Sequence, residues 1–229
     1  SHLEDLSKAV TEHNADIGFA TDPDADRLAI VDNHGNPIGE ESTLVLALES
    51  YLKYYQDSQK VVTNLSTSMA VDVIAHKYNS TVQHSSVGEI NVVEKMKEIG
   101  SKIGGEGNGG VILKESHLGR DSLVASALVL NHLAQSDISF DKILENIPCF
   151  VMIKDKITLQ DDIDFNHIKT LFKNDNVNFI QGDGLKILWK DKWVHIRKSN
   201  TEPIIRIISE ANNHTTAKDL IDSLRKNIL

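Results

Sequence analysis

Near the start of the chain the apolar positions change period twice. Leu3, Leu6 and Val10 recur at helical spacing up to His13, whereas Ala15–Thr21 and Leu28–Asp32 are short apolar runs of strand length. The run Asp22-Pro23-Asp24-Ala25-Asp26-Arg27 lies between them, which places an acidic cluster on a loop joining two strands. Asn33-His34-Gly35-Asn36-Pro37 is a turn by composition.

From Glu41 the helical period returns through Leu44, Leu48, Tyr51, Leu52 and Tyr55. Lys60–Leu65 predicts a strand, and Ser66 predicts the cap of a helix reaching Tyr78. Ser80–Ser85 is a second strand, followed by a helix over Val87–Glu98. Ser101–Gly105 is a third strand that enters a glycine-rich turn over Gly104–Gly110, and Asp121–Gln135 is a strongly apolar helix. Such alternation predicts a parallel sheet with helices on its faces.

The grammar changes after Pro148. Cys149–Leu159 reads as a strand and Ile163–Phe172 as a helix. Strands at Val177–Ile180, Leu185–Lys190, Val194–Lys198 and Ile204–Ser209 follow, and Thr215–Leu229 closes the chain as a helix. Strands joined by tight turns such as Gly182-Asp183-Gly184 predict an antiparallel sheet with helices on one face. The boundary therefore falls near Pro148. The fold class expected is α/β: the remnant of a mixed α/β domain, a complete three-layer α/β domain, and a C-terminal α+β domain.

Composition excludes some functions. The 229 residues carry 24 Lys/Arg and 33 Asp/Glu, a formal charge of −9. That balance argues against nucleic acid or a polybasic membrane patch as partner. No run approaches the roughly 20 apolar residues that span a bilayer, and no signal peptide is visible. The single cysteine, Cys149, excludes an internal disulfide and suits a reducing cytoplasm; its apolar neighbours predict a packing role. The Ser1-His2 start, without Met, reads as a fusion remnant on a truncated chain.

Three carboxylates at alternate positions repel. At ~4 Å and an effective dielectric near 20, each like-charge pair costs about 4 kcal/mol. A divalent cation held by Asp22, Asp24 and Asp26 removes that cost, and oxygen-only ligands select Mg²⁺, Mn²⁺ or Ca²⁺. A helix-loop-helix calcium loop needs Gly at its sixth position and Glu at its twelfth; those positions hold Arg27 and Asn33, so that reading fails. Arg27 beside the acids suggests that the cation shares its site with a phosphate.

Two later loops suit a phosphorylated, hydroxyl-rich ligand. Gly104–Gly110 has five glycines in seven residues, with Glu106 and Asn108 the only side chains of reach. It lacks the spacing and lysine of a nucleotide phosphate loop. Lys186–Arg206 holds six Lys/Arg against two Asp/Glu, a local +4. Within it Arg197, Ser199, Asn200, Thr201 and Arg206 form a candidate phosphate cradle.

These three loops, in this order, resemble those of the α-D-phosphohexomutases, a family that includes phosphomannomutase, phosphoglucomutase and phosphoglucosamine mutase. The family's D-x-D-x-D-R loop is matched by Asp22–Arg27, its G-E-x-S/N-G loop by Gly105–Gly109, and its R-x-S-N-T-E-P-x-x-R loop by Arg197–Arg206. The resemblance implies reversible exchange between a sugar 1-phosphate and a 6-phosphate, by way of an enzyme phosphoserine and a bisphosphorylated sugar. It implies Mg²⁺ on Asp22, Asp24 and Asp26, with Arg27 beside the reacting phosphate. Glu106 and Asn108 would hold sugar hydroxyls, and the Arg197–Arg206 loop the other phosphate.

It also implies three parts: residues 1–40 as the end of domain two, 41–148 as domain three and 149–229 as domain four. Three departures stand out. The family's phosphoserine segment has no counterpart here, so further N-terminal domains are expected and the chain alone is expected to be inactive. Many members end the sugar loop in His, where this chain has Gly110; Ser85-Ser86 likewise stand where many have Lys. His117 and Arg120 lie near the sugar loop, although helix capping explains Arg120-Asp121 equally well. A non-catalytic Mg²⁺-dependent phosphosugar-binding protein is the alternative. A phosphatase using Asp22 as nucleophile lacks the downstream Lys it would need.

Overall fold

The computed structural model describes residues 3–54, 58–158, 163–199 and 202–228. Chain contacts divide it into two compact units, Ser1–Pro148 and Cys149–Leu229.

The first unit opens with α1 (Glu4–His13), which ends on Asn14 in the left-handed region at φ 49°. Strands β1 (Ile17–Thr21) and β2 (Leu28–Asp32) then pair antiparallel, with Thr21 opposite Leu28 at the mouth of the acidic loop. The helix α2 (Glu40–Tyr54) is buried continuously from Thr43 to Leu52, as expected of a helix covered on all sides. Next come β3 (Lys60–Asn64), α3 (Ala70–Lys77), β4 (Thr81–Ser85), α4 (Glu89–Ile99), β5 (Ile103–Glu106), β6 (Gly110–Leu113), α5 (Ser122–Ala134) and α6 (Phe140–Glu145).

The sheet order is β4-β3-β5-β6, with β3 parallel to β4 and β5, and β6 antiparallel to β5. Helices cover both faces. A Cβ on Gly104 would meet Met96 of α4 at 2.9 Å, while one on the next residue, Gly105, would meet Leu44 of α2 at 2.8 Å. Val62 and Ile112 pack with Val92, Val93 and Met96 on the α4 side.

Several sequence expectations shift. Ser66 does not cap a helix: Asn64 Oδ1 accepts the Ser66 N–H at 2.8 Å and turns the chain, and α3 starts only at Ala70. The glycine run is not a single turn. Its first part completes β5 and Gly110 begins β6, so the expected parallel sheet gains an antiparallel edge. The short helix α6 was not expected. Cys149 is exposed and precedes the next strand, so it does not pack in a core.

The second unit contains β7 (Val151–Thr158), α7 (Phe165–Leu171), β8 (Asn178–Gln181), β9 (Leu185–Leu188), β10 (Lys192–Lys198), β11 (Ile204–Ala211) and α8 (His214–Ile228). Its strands form one antiparallel sheet in the order β7-β11-β10-β9-β8. Alternation along β10 and β11 sends Val194, Ile196, Ile205 and Ile207 into a core with Ile168, Leu220, Ile221 and Leu224 of the two helices. Both helices thus lie on one face. The opposite face carries His195, Arg197, Arg206 and Glu210 together with Trp193 and Ile208. Among the described residues, no helix is long and apolar enough to cross a membrane.

Candidate active site

The β1–β2 pairing brings both ends of the acidic loop together. The Asp22 N–H donates to the Arg27 carbonyl at 3.3 Å, and Asp22 Oδ1 accepts the N–H groups of Asp26 and Arg27 at 3.1 and 3.2 Å. Ala25 sits at the tip with φ 58°, and its carbonyl accepts the Ser122 hydroxyl at 2.7 Å and the Ser122 N–H at 3.2 Å. The tip is thereby tied to the start of α5. The base of the loop is tied to the glycine-rich loop: the Leu28 N–H donates to the Gly109 carbonyl at 3.1 Å. Gly109 has φ 89°, and a Cβ there would stand 2.6 Å from the Leu28 carbonyl oxygen, so the join requires glycine.

Two arginines, rather than a common centre, hold the carboxylates. Arg27 Nε donates to Asp22 Oδ2 at 2.7 Å and lies 3.4 Å from Asp26 Oδ1. Arg120 Nη2 donates to Asp26 Oδ2. Asp24 is exposed. Among the described residues, no three His, Cys, Asp or Glu side chains are gathered as a metal-ligand set. Even so, the loop fits a hard divalent cation: its donors are all oxygens, and buried Asp26 Oδ1 has no hydrogen-bond partner among the described residues. Burial acts to raise the Asp22 pKa, but hydrogen bonds from Arg27 outweigh it and hold that carboxyl below the usual range. Asp26 is pushed up, first by burial, against the pull of Arg120.

In the glycine-rich loop, Glu106 is 3% exposed. Its Oε1 accepts Asn64 Nδ2 at 2.7 Å and the Gly88 N–H at 3.1 Å, and its Oε2 accepts Arg120 Nη1 at 2.7 Å. Asn108 Oδ1 accepts the Gly110 N–H at 3.2 Å. The structure therefore joins Asp26 and Glu106 through one guanidinium. Arg120 also meets Glu89 with its backbone N–H, at 2.9 Å, and with Nε, at 3.4 Å. Asp121 caps α5 through the N–H groups of Leu123 and Val124 and pairs with His117 Nε2 at 2.9 Å. Capping thus belongs to Asp121, and Arg120 belongs to the site.

In the second unit the phosphate-type loop is the β10–β11 hairpin. Register places Arg197 opposite Arg206, and Arg206 opposite Lys156 of β7, so three cations form a row across three strands. The Ser199 N–H donates to the Ile204 carbonyl at 2.9 Å and closes the hairpin. Asn200 and Thr201 lie outside the described residues. Glu202 Oε2 stands 3.4 Å from Arg206 Nη2, and buried Arg197 Nε has no hydrogen-bond partner among the described residues. A concavity of about 460 Å³ is lined by Lys154, Lys156, Arg197, Glu202 and Arg206, among others. The alternation Lys154-Asp155-Lys156 in a strand was the available signal for the two lysines. For Arg120 the signal was its closeness in sequence to the glycine-rich loop; its pairing with Asp26, 94 residues away, had none.

Comparison with known proteins bears on this arrangement. The family model for Phosphoglucomutase/phosphomannomutase, alpha/beta/alpha domain III matches residues 39–150; those for domain II and the C-terminal domain match 1–35 and 154–227. A phosphoglucosamine/phosphogalactosamine mutase of Sulfurisphaera tokodaii is 31% identical over 98% of this chain and 50% of its own length. A phosphoglucomutase/phosphomannomutase of Thermococcus kodakarensis is 32% identical over 96% of this chain and 49% of its own. The chain spans about half the length of the curated relatives it matches. Among solved structures, a phosphoglucomutase/phosphomannomutase family protein of Burkholderia thailandensis shares the fold at a TM-score of 0.83 and 24% identity, over 98% of this chain and 48% of that one. The Paramecium phosphoglucomutase parafusin does so at 0.75 and 18%, over 100% and 48%. With all three matched regions in order along its length, the chain belongs to the phosphoglucomutase/phosphomannomutase family, the α-D-phosphohexomutases.

Proposed function

We propose that this chain supplies the metal, sugar and phosphate loops of a phosphohexomutase that interconverts a hexose or hexosamine 1-phosphate and its 6-phosphate. The observation that carries the reading is the double tie between the acidic and sugar loops, through Leu28–Gly109 and through Arg120. Two loops that the family uses on one substrate are here tied to each other at two points.

In this reading a phosphoserine on a domain of the same polypeptide gives its phosphoryl group to the free sugar hydroxyl. The serine P–O bond breaks, a sugar P–O bond forms, and the hydroxyl proton is returned to the serine oxygen. The bisphosphorylated sugar then turns around and returns its other phosphate. Asp22, Asp24 and Asp26 would hold Mg²⁺, which supplies charge neutralisation at the transferring phosphoryl group. Arg27, which lies beside those aspartates, would contact the reacting phosphate, while Asn108 and the Glu106 carboxylate would orient sugar hydroxyls. Arg197, Ser199, Asn200, Thr201 and Arg206 grip the phosphate that does not react, and the Lys156–Arg206–Arg197 row supports this, since adjacent cations gain by sharing an anion.

Three functional parts, 1–40, 41–148 and 149–229, accord with the contact boundary at Pro148 and the matched family regions. A single cysteine supports a cytoplasmic setting. The test joins this chain to a phosphoserine-bearing domain and measures turnover of sugar phosphates with Mg²⁺. Asp24→Asn should lower turnover by orders of magnitude with native folding retained; unchanged turnover would sink the metal assignment.

A further inference from the structure

Residue 110 is where many members of this family carry histidine, and here it is glycine. Its backbone does not demand glycine, because Gly110 is not among the positive-φ residues. The space does. A Cβ at Gly110 would overlap Arg120 Cδ and stand 2.9 Å from Arg120 Cγ. The aliphatic stem of Arg120 fills the room of a side chain at 110 and carries the guanidinium to the junction of two loops.

There it has three anionic partners: Asp26 through Nη2, Glu106 through Nη1 at 2.7 Å, and Glu89 3.4 Å from Nε. The side chain is only 17% exposed, so these pairings are poorly screened by water. Asp26 divides its carboxylate between Arg120 on Oδ2 and a buried Oδ1 that lies 3.4 Å from Arg27 Nε but has no hydrogen-bond partner among the described residues.

We propose that Arg120 is a positioning residue that competes with a divalent cation for Asp26. This rests on the reading of residues 22–27 as a cation loop. Arg120 ties Asp26 to Glu106, and cation binding draws Asp26 away while the guanidinium stays with Glu106 and Glu89. Two effects then act in one direction: Arg120 occupies a cation ligand, and its positive charge repels the incoming ion. Cation affinity and sugar-loop position are therefore coupled through one side chain.

The experiment measures Mn²⁺ binding to the 229-residue chain by electron paramagnetic resonance, with native circular dichroism required of each variant. Arg120→Met keeps the stem and removes the charge. Arg120→Lys keeps a cation for Glu106 but cannot span both carboxylates. Both should bind Mn²⁺ more tightly than wild type, Arg120→Met by about fivefold or more. Should neither variant stay folded, the wild-type protein supplies a second readout: the Arg120 Nε resonance should shift as Mg²⁺ saturates the loop. Equal or weaker Mn²⁺ binding in folded variants, or an unmoved Nε resonance at saturation, overturns the competition. Binding by wild type with no gain in the variants overturns this inference alone; no binding by any form removes the cation loop and the inference with it.

Discussion

Arg197 and Arg206 stand directly opposite each other on β10 and β11, with their side chains on the sheet face away from the helices. Like charges paired across strands destabilise a sheet by up to about 1 kcal/mol, and Lys156 opposite Arg206 extends the repulsion. Glu202 Oε2, 3.4 Å from Arg206 Nη2, offsets part of that repulsion, and a bound anion would offset more.

Arg206→Gln should therefore move two properties in opposite directions. Phosphate affinity of the C-terminal hairpin should fall about tenfold, the loss of one charge-assisted contact. Stability should stay level or rise by a few tenths of a kcal/mol as the repulsion is relieved. Phosphate titration and thermal melts of the same samples check both; lowered stability with unchanged phosphate binding would mark Arg206 as structural.

The Gly110–Arg120 contact makes a double-mutant prediction. Gly110→Ala should cost about 1–3 kcal/mol, since the Arg120 stem must be displaced. In an Arg120→Ala background the same change should be nearly neutral, because the obstructing atoms are gone. Denaturant melts of the four forms give the coupling energy, and additive costs would show that something other than Arg120 restricts residue 110.

Asp24 is exposed at the loop tip, so Asp24→Asn should change stability by less than about 0.5 kcal/mol. Divalent-ion affinity should nevertheless fall about tenfold or more with the loss of one charged ligand. Mn²⁺ titration beside a thermal melt separates the two effects.

His195 provides a pH signature in the C-terminal unit. Burial pushes its pKa down to about 4, and its Nε2 lies 2.6 Å from the Asp183 carbonyl oxygen, a contact the neutral Nε2–H tautomer can make. Between about pH 4 and the unfolded value near 6.5, the unfolded chain binds the extra proton and the native one does not. Stability should thus be lost as pH falls through that window and be fully present above it. Histidine ring signals followed by NMR should show His195 neutral at pH 5.5; a midpoint near 6.5 would contradict its buried, neutral state.

Much of this molecule was legible in its residues. Alternation and loop composition located β1, β2, β10 and β11, so the acidic loop and the Arg197–Arg206 hairpin were found with their flanking strands. The glycine run misled because its glycines serve packing as much as turning: Gly105 makes room for Leu44 and Gly110 for Arg120, inside strands that composition reads as a turn. Sequence placed Arg120 near the loop of Glu106, 14 residues away, but its pairings with Glu89 and Asp26, 31 and 94 residues away, lie beyond any local periodicity. Lys156 joined the cation row only through β7–β11 register, which no pattern within one strand encodes.

The central claim is that these loops bind a phosphosugar with the help of a divalent ion. The direct measurement is calorimetric titration of the 229-residue chain with glucose 1,6-bisphosphate, with and without Mg²⁺. Saturable binding is expected, strengthened by Mg²⁺ and weakened by each of Arg206→Gln and Asp24→Asn. No saturable binding, or binding indifferent to Mg²⁺ and to both substitutions, would contradict it.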